Sequence, residues 1–96
     1  MLEKLKEAVK KVEKAAERNG INIDLIEISE EITGPGGEYF PATASVYAGR
    51  EILVYIHRGE NIYALLSKEG DTIKRYKVAA AALVAAQKLN QLDGDL

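Results

Sequence analysis

The run TASVYAGREILVYIHRGENIYALLS, Thr43 to Ser67, decides the fold. Gly49 and Gly59 cut it into three short segments rich in β-branched and aromatic residues, the pattern of an antiparallel meander. Three-residue turns, Gly49-Arg50-Glu51 and Gly59-Glu60-Asn61, pair Ala48 with Ile52 and Arg58 with Ile62. In that register Ala44, Val46, Ala48, Ile52, Val54, Ile56, Ile62, Ala64 and Leu66 share one face. A slip of one residue would scatter them, so the pattern itself selects the pairing. The opposite face then carries Thr43, Ser45, Tyr47, Leu53, Tyr55, His57, Tyr63, Leu65 and Ser67. One face is aliphatic, and the other mixes hydroxyls, aromatics and an imidazole. Strands covered on both sides read as more continuously apolar, so the mixed face is expected to be open or closed by a partner.

Upstream, LEKLKEAVKKVEKAAER, residues 2 to 18, spaces Leu2, Leu5, Val9, Val12 and Ala16 by three and four, which makes one apolar stripe on a helix. Asn19-Gly20 ends it. INIDLIEISEEI, residues 21 to 32, reads as a strand whose alternation changes phase. A bulge near Leu25-Ile26 would reconcile the halves, and a short helix opening at Asp24 is the alternative. Between this segment and the meander lies ITGPGGEYFPATA, Ile32 to Ala44, with both of the chain's prolines. It reads as a connection whose turns are set by Pro35 and the glycines. The alternative is a flap over a ligand, anchored by Tyr39 and Phe40.

Downstream, Asp71 or Thr72 can cap a helix running to about Leu92, with residues 72 to 76 as a brief fifth strand in the other reading. VAAAALVAA, Val78 to Ala86, is apolar on every side. Such a helix needs cover beyond the sheet, either from the first helix or from another subunit.

Composition bounds the function. The chain has 96 residues, enough for one core, with 47% hydrophobic and 29% charged residues. A single α+β domain over residues 1–96 follows, with a meander of about four strands and both helices on the aliphatic face. Without cysteine there is no disulfide or thiolate metal site. With one histidine there is no paired-imidazole site, so neither metal nor cofactor is expected. The amphipathic N-terminus is neither a signal peptide nor a membrane span, which points to the cytoplasm. A formal charge of −2 gives nucleic acid no electrostatic invitation. The Lys- and Glu-dominated charge suits a heat-tolerant or an engineered chain.

No G-x-S-x-G, H-E-x-x-H, P-loop or dinucleotide pattern occurs, and no catalytic residue is expected. The expectation is a non-enzymatic interaction module, a homo-oligomer (a dimer first) or one bound to a protein partner. Its interface would use Tyr47, Tyr55 and Tyr63 on the mixed face, or Ala82 and Ala86 on the Ala-rich helix. The alternative is a small-ligand domain with Tyr39, Phe40, Tyr55, His57 and Tyr63 around a pocket under the glycine loop.

From Glu51 through Leu89, two meander strands lead into a closing helix, an order that resembles the second half of a roadblock/longin-type domain. The helix normally found between the second and third strands of that fold is missing. The resemblance implies a dimerising scaffold and carries over no residue.

Overall fold

A computed structural model describes residues 2–57 and 59–94, without the side chains of His57 and Asp93. The fold is α+β: helix α1 (Leu2–Arg18), seven strands, and helix α2 (Ala79–Gly94). Strands β1 (Leu25–Ser29), β4 (Thr43–Ala48), β5 (Arg50–His57), β6 (Glu60–Leu66) and β7 (Thr72–Tyr76) form an antiparallel sheet in the order β1-β4-β5-β6-β7. The short strands β2 (Ile32–Thr33) and β3 (Tyr39–Phe40) pair with each other. No helix among the described residues is long and apolar enough to cross a membrane.

Helix α1 follows its periodicity, burying Leu5, Ala8, Val9, Val12, Ala15 and Ala16. It ends in a Schellman motif. Gly20 adopts φ 64°, its N–H donates to the Glu17 carbonyl at 3.3 Å, and the Ile21 N–H donates to the Ala16 carbonyl at 2.9 Å. Ile21 and Ile23 then pack against the core as part of a connection rather than a strand. The phase change therefore marks where β1 begins, at Leu25; β1 pairs with β4 without a bulge, and no helix opens at Asp24.

Both turns of the meander are tighter than three residues. Ala48 pairs with Arg50 around Gly49, at φ 79°, a shift of two residues from the expected pairing that leaves every side chain of β4 and β5 on its expected face. Ala44, Val46, Ala48, Ile52, Val54 and Ile56 are accordingly buried. His57 pairs with Glu60, a two-residue turn, and here the shift is odd. It inverts β6, so that Tyr63 and Leu65 join the core opposite Val54 and Ile52, while Ile62, Ala64 and Leu66 go to the other face. Two-residue turns match the twist of the flanking strands better than longer ones, and Gly59, at φ 80°, permits this one.

Residues 72–76 form the fifth strand, pairing Tyr76 with Tyr63 and Arg75 with Ala64. Helix α2 starts only at Ala79, later than the cap at Asp71 or Thr72 would place it. It lies on the same sheet face as α1 and packs against both α1 and the sheet. Ala82, Leu83 and Ala86 are fully buried. The small side chains that suggested an interface thus admit the chain's own first helix. The Asn90 amide fastens the far end of α2 by donating to the Ala48 carbonyl at 2.7 Å.

Candidate functional site

Three surfaces remain unusual once the core is assigned. The first is the sheet face that carries no helix. Register sets Glu27, Ser45, Leu53, Ala64 and Arg75 in one row across the five strands. Thr43, Tyr55 and Ile62 lie in a flanking row, and Leu25, Tyr47 and Glu51 in another. Arg75 Nε donates to the Tyr55 hydroxyl at 3.0 Å, bridging β7 to β5 across β6. That bridge passes over Ala64, which explains why Ala64 is 1% exposed on a face with no covering layer. Leu66 is buried beside it, and Leu25 stays 49% exposed at the sheet edge. Tyr47 sits among these groups with its hydroxyl held above the ordinary tyrosine value, first by partial desolvation and then by the Glu51 and Glu27 carboxylates.

The sequence reading placed Tyr47 and Tyr55 on this face correctly. It also placed Tyr63 there, but the inverted β6 puts that ring in the core, 2% exposed. Burial pushes the Tyr63 hydroxyl up, and a hydrogen bond with Asn61 partly offsets this. Ala82 and Ala86, the other expected contacts, are consumed inside the chain. The expected role of His57 falls on a side chain outside the described residues. Arg75, which the helical reading of residues 72–76 kept away from the sheet, supplies a cation to this face.

The second surface is an arm. The pairs Ile32–Phe40 and Thr33–Tyr39 continue the β1–β4 register without a slip, past Pro41, which cannot donate to the ladder. The glycine stretch is the turn at the end of this hairpin. The Gly34 N–H donates to the Glu38 carbonyl at 2.7 Å, and the Gly36 N–H donates to Glu38 Oε2 at 3.1 Å. Tyr39 and Phe40, expected as joint anchors of a flap, project from opposite faces of the arm, because neighbouring strand residues alternate. Tyr39 donates to Glu31 Oε2 at 2.6 Å, and this bond to a carboxylate is the main reason its hydroxyl titrates above the ordinary value. On the helix side, Ile28, Ile32 and Phe40 continue the core's aliphatic row into solvent, at 43%, 61% and 58% exposure.

The third surface is a groove of about 620 Å³ between the C-terminal half of α1 and the start of α2. Ala15, Tyr63, Val78 and Ala79 give it an apolar wall, and Lys11, Lys14, Arg18 and Lys77 surround it. Sequence reading missed this groove because its cations come from both ends of the chain. Among the described residues no cluster of three or more His, Asp or Glu side chains is placed to hold a metal ion.

Comparison of the chain with protein-family models, with curated proteins and with solved structures finds no match for any part of it, the roadblock/longin resemblance included.

Proposed function

We propose that the protein is a non-enzymatic assembly module that self-associates through the helix-free face of its sheet. One observation carries this reading: both helices cover the same side, leaving a five-stranded face whose middle is apolar and whose rim is charged. Leu53, Tyr55 and Ile62 form its accessible middle, over the already buried Ala64 and Leu66, with Tyr47 beside them. Aromatic and aliphatic centres with polar rims are how protein interfaces are built. A second copy fits because the rim is self-complementary. Glu27 lies on edge strand β1 and Arg75 on edge strand β7, at opposite ends of one row, with Glu51 at the end of central strand β5, so a twofold stacking of two faces opposes Glu27 and Arg75. The same carboxylates make the face a poor platform for nucleic acid, which needs cations beside its aromatics.

Leu53→Glu tests this reading directly. It sets a carboxylate at the centre of the face, where burial against a second copy is costly, but leaves the helix-side core untouched. The expected result is a folded variant, by circular dichroism, whose mass in sedimentation equilibrium falls below that of the wild type. A folded variant with unchanged mass would remove this face from the assembly.

A further inference from the structure

The arm and the groove have opposite characters, and they stand at the same end of the molecule. Between Arg18 and Arg50 the chain contains no lysine or arginine, only the carboxylates Asp24, Glu27, Glu30, Glu31 and Glu38. The arm is therefore an acidic hairpin with an apolar stripe, Ile28, Ile32 and Phe40, along its helix side. The groove is the converse: among the described residues, an apolar wall with four cations around it and Glu60 as its acidic lining residue.

A feature of α2 sharpens the match. Helix α2 begins at Ala79, with Val78, whose side chain cannot cap it, in the preceding position and no acidic residue in its first turn. Val78, Ala79 and Ala80 line the groove, so the first N–H groups of α2 and the positive end of the helix dipole lie at its edge. The site brings cations, helix N-terminal donors and apolar surface together. An acidic, apolar strand pair answers all three.

We propose that this groove receives the arm of a second copy of the chain, in a reciprocal exchange. The arm leaves the sheet at the Thr43 end of β4, and antiparallel pairing brings the Tyr55 end of β5, the Ile62 end of β6 and the Tyr76 end of β7 to the same side. Groove residues Asn61 and Tyr63 lie at that end. A twofold axis beside it offers each arm the other's groove, so the contact occurs twice and closes. Phe40 or Ile32 fills the apolar wall, and carboxylates of the arm meet Lys11, Lys14, Arg18 and the start of α2. The inference extends the assembly reading to a second surface, and it can stand or fall independently of the sheet face.

The lack of cysteine makes the test clean. Ile32→Cys and Val78→Cys alter residues that are each 61% exposed, so both single variants should fold. They are mixed and treated with a short bifunctional thiol crosslinker. Arm exchange predicts that the mixed covalent dimer greatly exceeds either homodimer, and that added salt reduces its yield. In sedimentation, Phe40→Asp should raise the dissociation constant of the arm contact about tenfold or more. Crosslinking with no preference for the mixed product overturns the exchange, as does an assembly unmoved by Phe40→Asp. If those outcomes coincide with loss of mass in Leu53→Glu, only the sheet face assembles the protein. A wild type that stays monomeric at high concentration overturns both readings.

Discussion

Gly49 and Gly59 hold nearly the same left-handed backbone, φ 79° and 80°, in different surroundings. A Cβ on Gly59 would meet nothing within 4 Å, whereas one on Gly49 would collide with the Asn90 amide that holds α2 to the Ala48 carbonyl. Both alanine variants carry the left-handed penalty of about 1–2 kcal/mol. Gly49→Ala should cost about 1 kcal/mol more, because the Asn90 hydrogen bond must also give way. Thermal denaturation of the two variants side by side checks this ranking; equal losses would mean that Asn90 moves aside freely. Tyr63 makes a different kind of prediction. Its folded value lies above the ordinary 10.0, so as pH rises past that point the unfolded chain releases the proton first. The native state then binds more protons than the unfolded state, and stability falls. Tyr63→Phe should lessen this alkaline loss without abolishing it, since Tyr39 and Tyr47 are shifted in the same direction. Denaturant midpoints from pH 8 upward, compared between variant and wild type, provide the measurement.

At the scale of elements, α1 is legible from its stripe alone, and its Schellman ending from Asn19-Gly20. The segment TIKRY is not. Two apolar residues among three polar ones suit an edge strand or the first turns of a helix equally well. The exposed edge of β6 resolves the matter, since its backbone groups need a partner and residues 72–76 arrive beside it in antiparallel order. Helix α2 shows a related ambiguity. Its all-round apolarity called for cover on two sides, and only packing shows that the cover is α1. Ala82→Glu should therefore unfold the chain rather than merely dissociate it, because a carboxylate would be buried with no counter-charge at a position that is fully enclosed. Circular dichroism and sedimentation together distinguish the outcomes: a folded variant of lower mass would return α2 to the interface.

For the whole molecule, the two proposed contacts use different surfaces and different forces. The sheet face relies on apolar burial beneath a charged rim, and the arm on acid meeting base around a small apolar insertion. Leu53→Glu and Phe40→Asp should accordingly act independently, with the double variant monomeric, and additivity is expected for sites this far apart in role and position. Molecular extents of 46 × 27 × 20 Å for 96 residues describe an elongated body, the shape that a hairpin projecting past the end of its sheet would give.

What the sequence determined by itself was everything that depends on local periodicity. It marked the first helix, the α+β class, the aliphatic face of β4 and β5, and the placement of Tyr47 and Tyr55 on the opposite face, because each follows from a repeat of 3.6 or 2 within one segment. The tertiary structure decided what depends on a single residue of turn length or on distant segments meeting. A two-residue turn at Gly59 sent Tyr63 inward and Ala64 outward, and strand parity magnifies any such one-residue change into a change of face. The ITGPGGEYF stretch became an arm because its two ends continue one ladder, a fact of pairing that neither end states alone. The basic groove exists only where residues 11–18 meet residues 60–80, and no local pattern records that meeting.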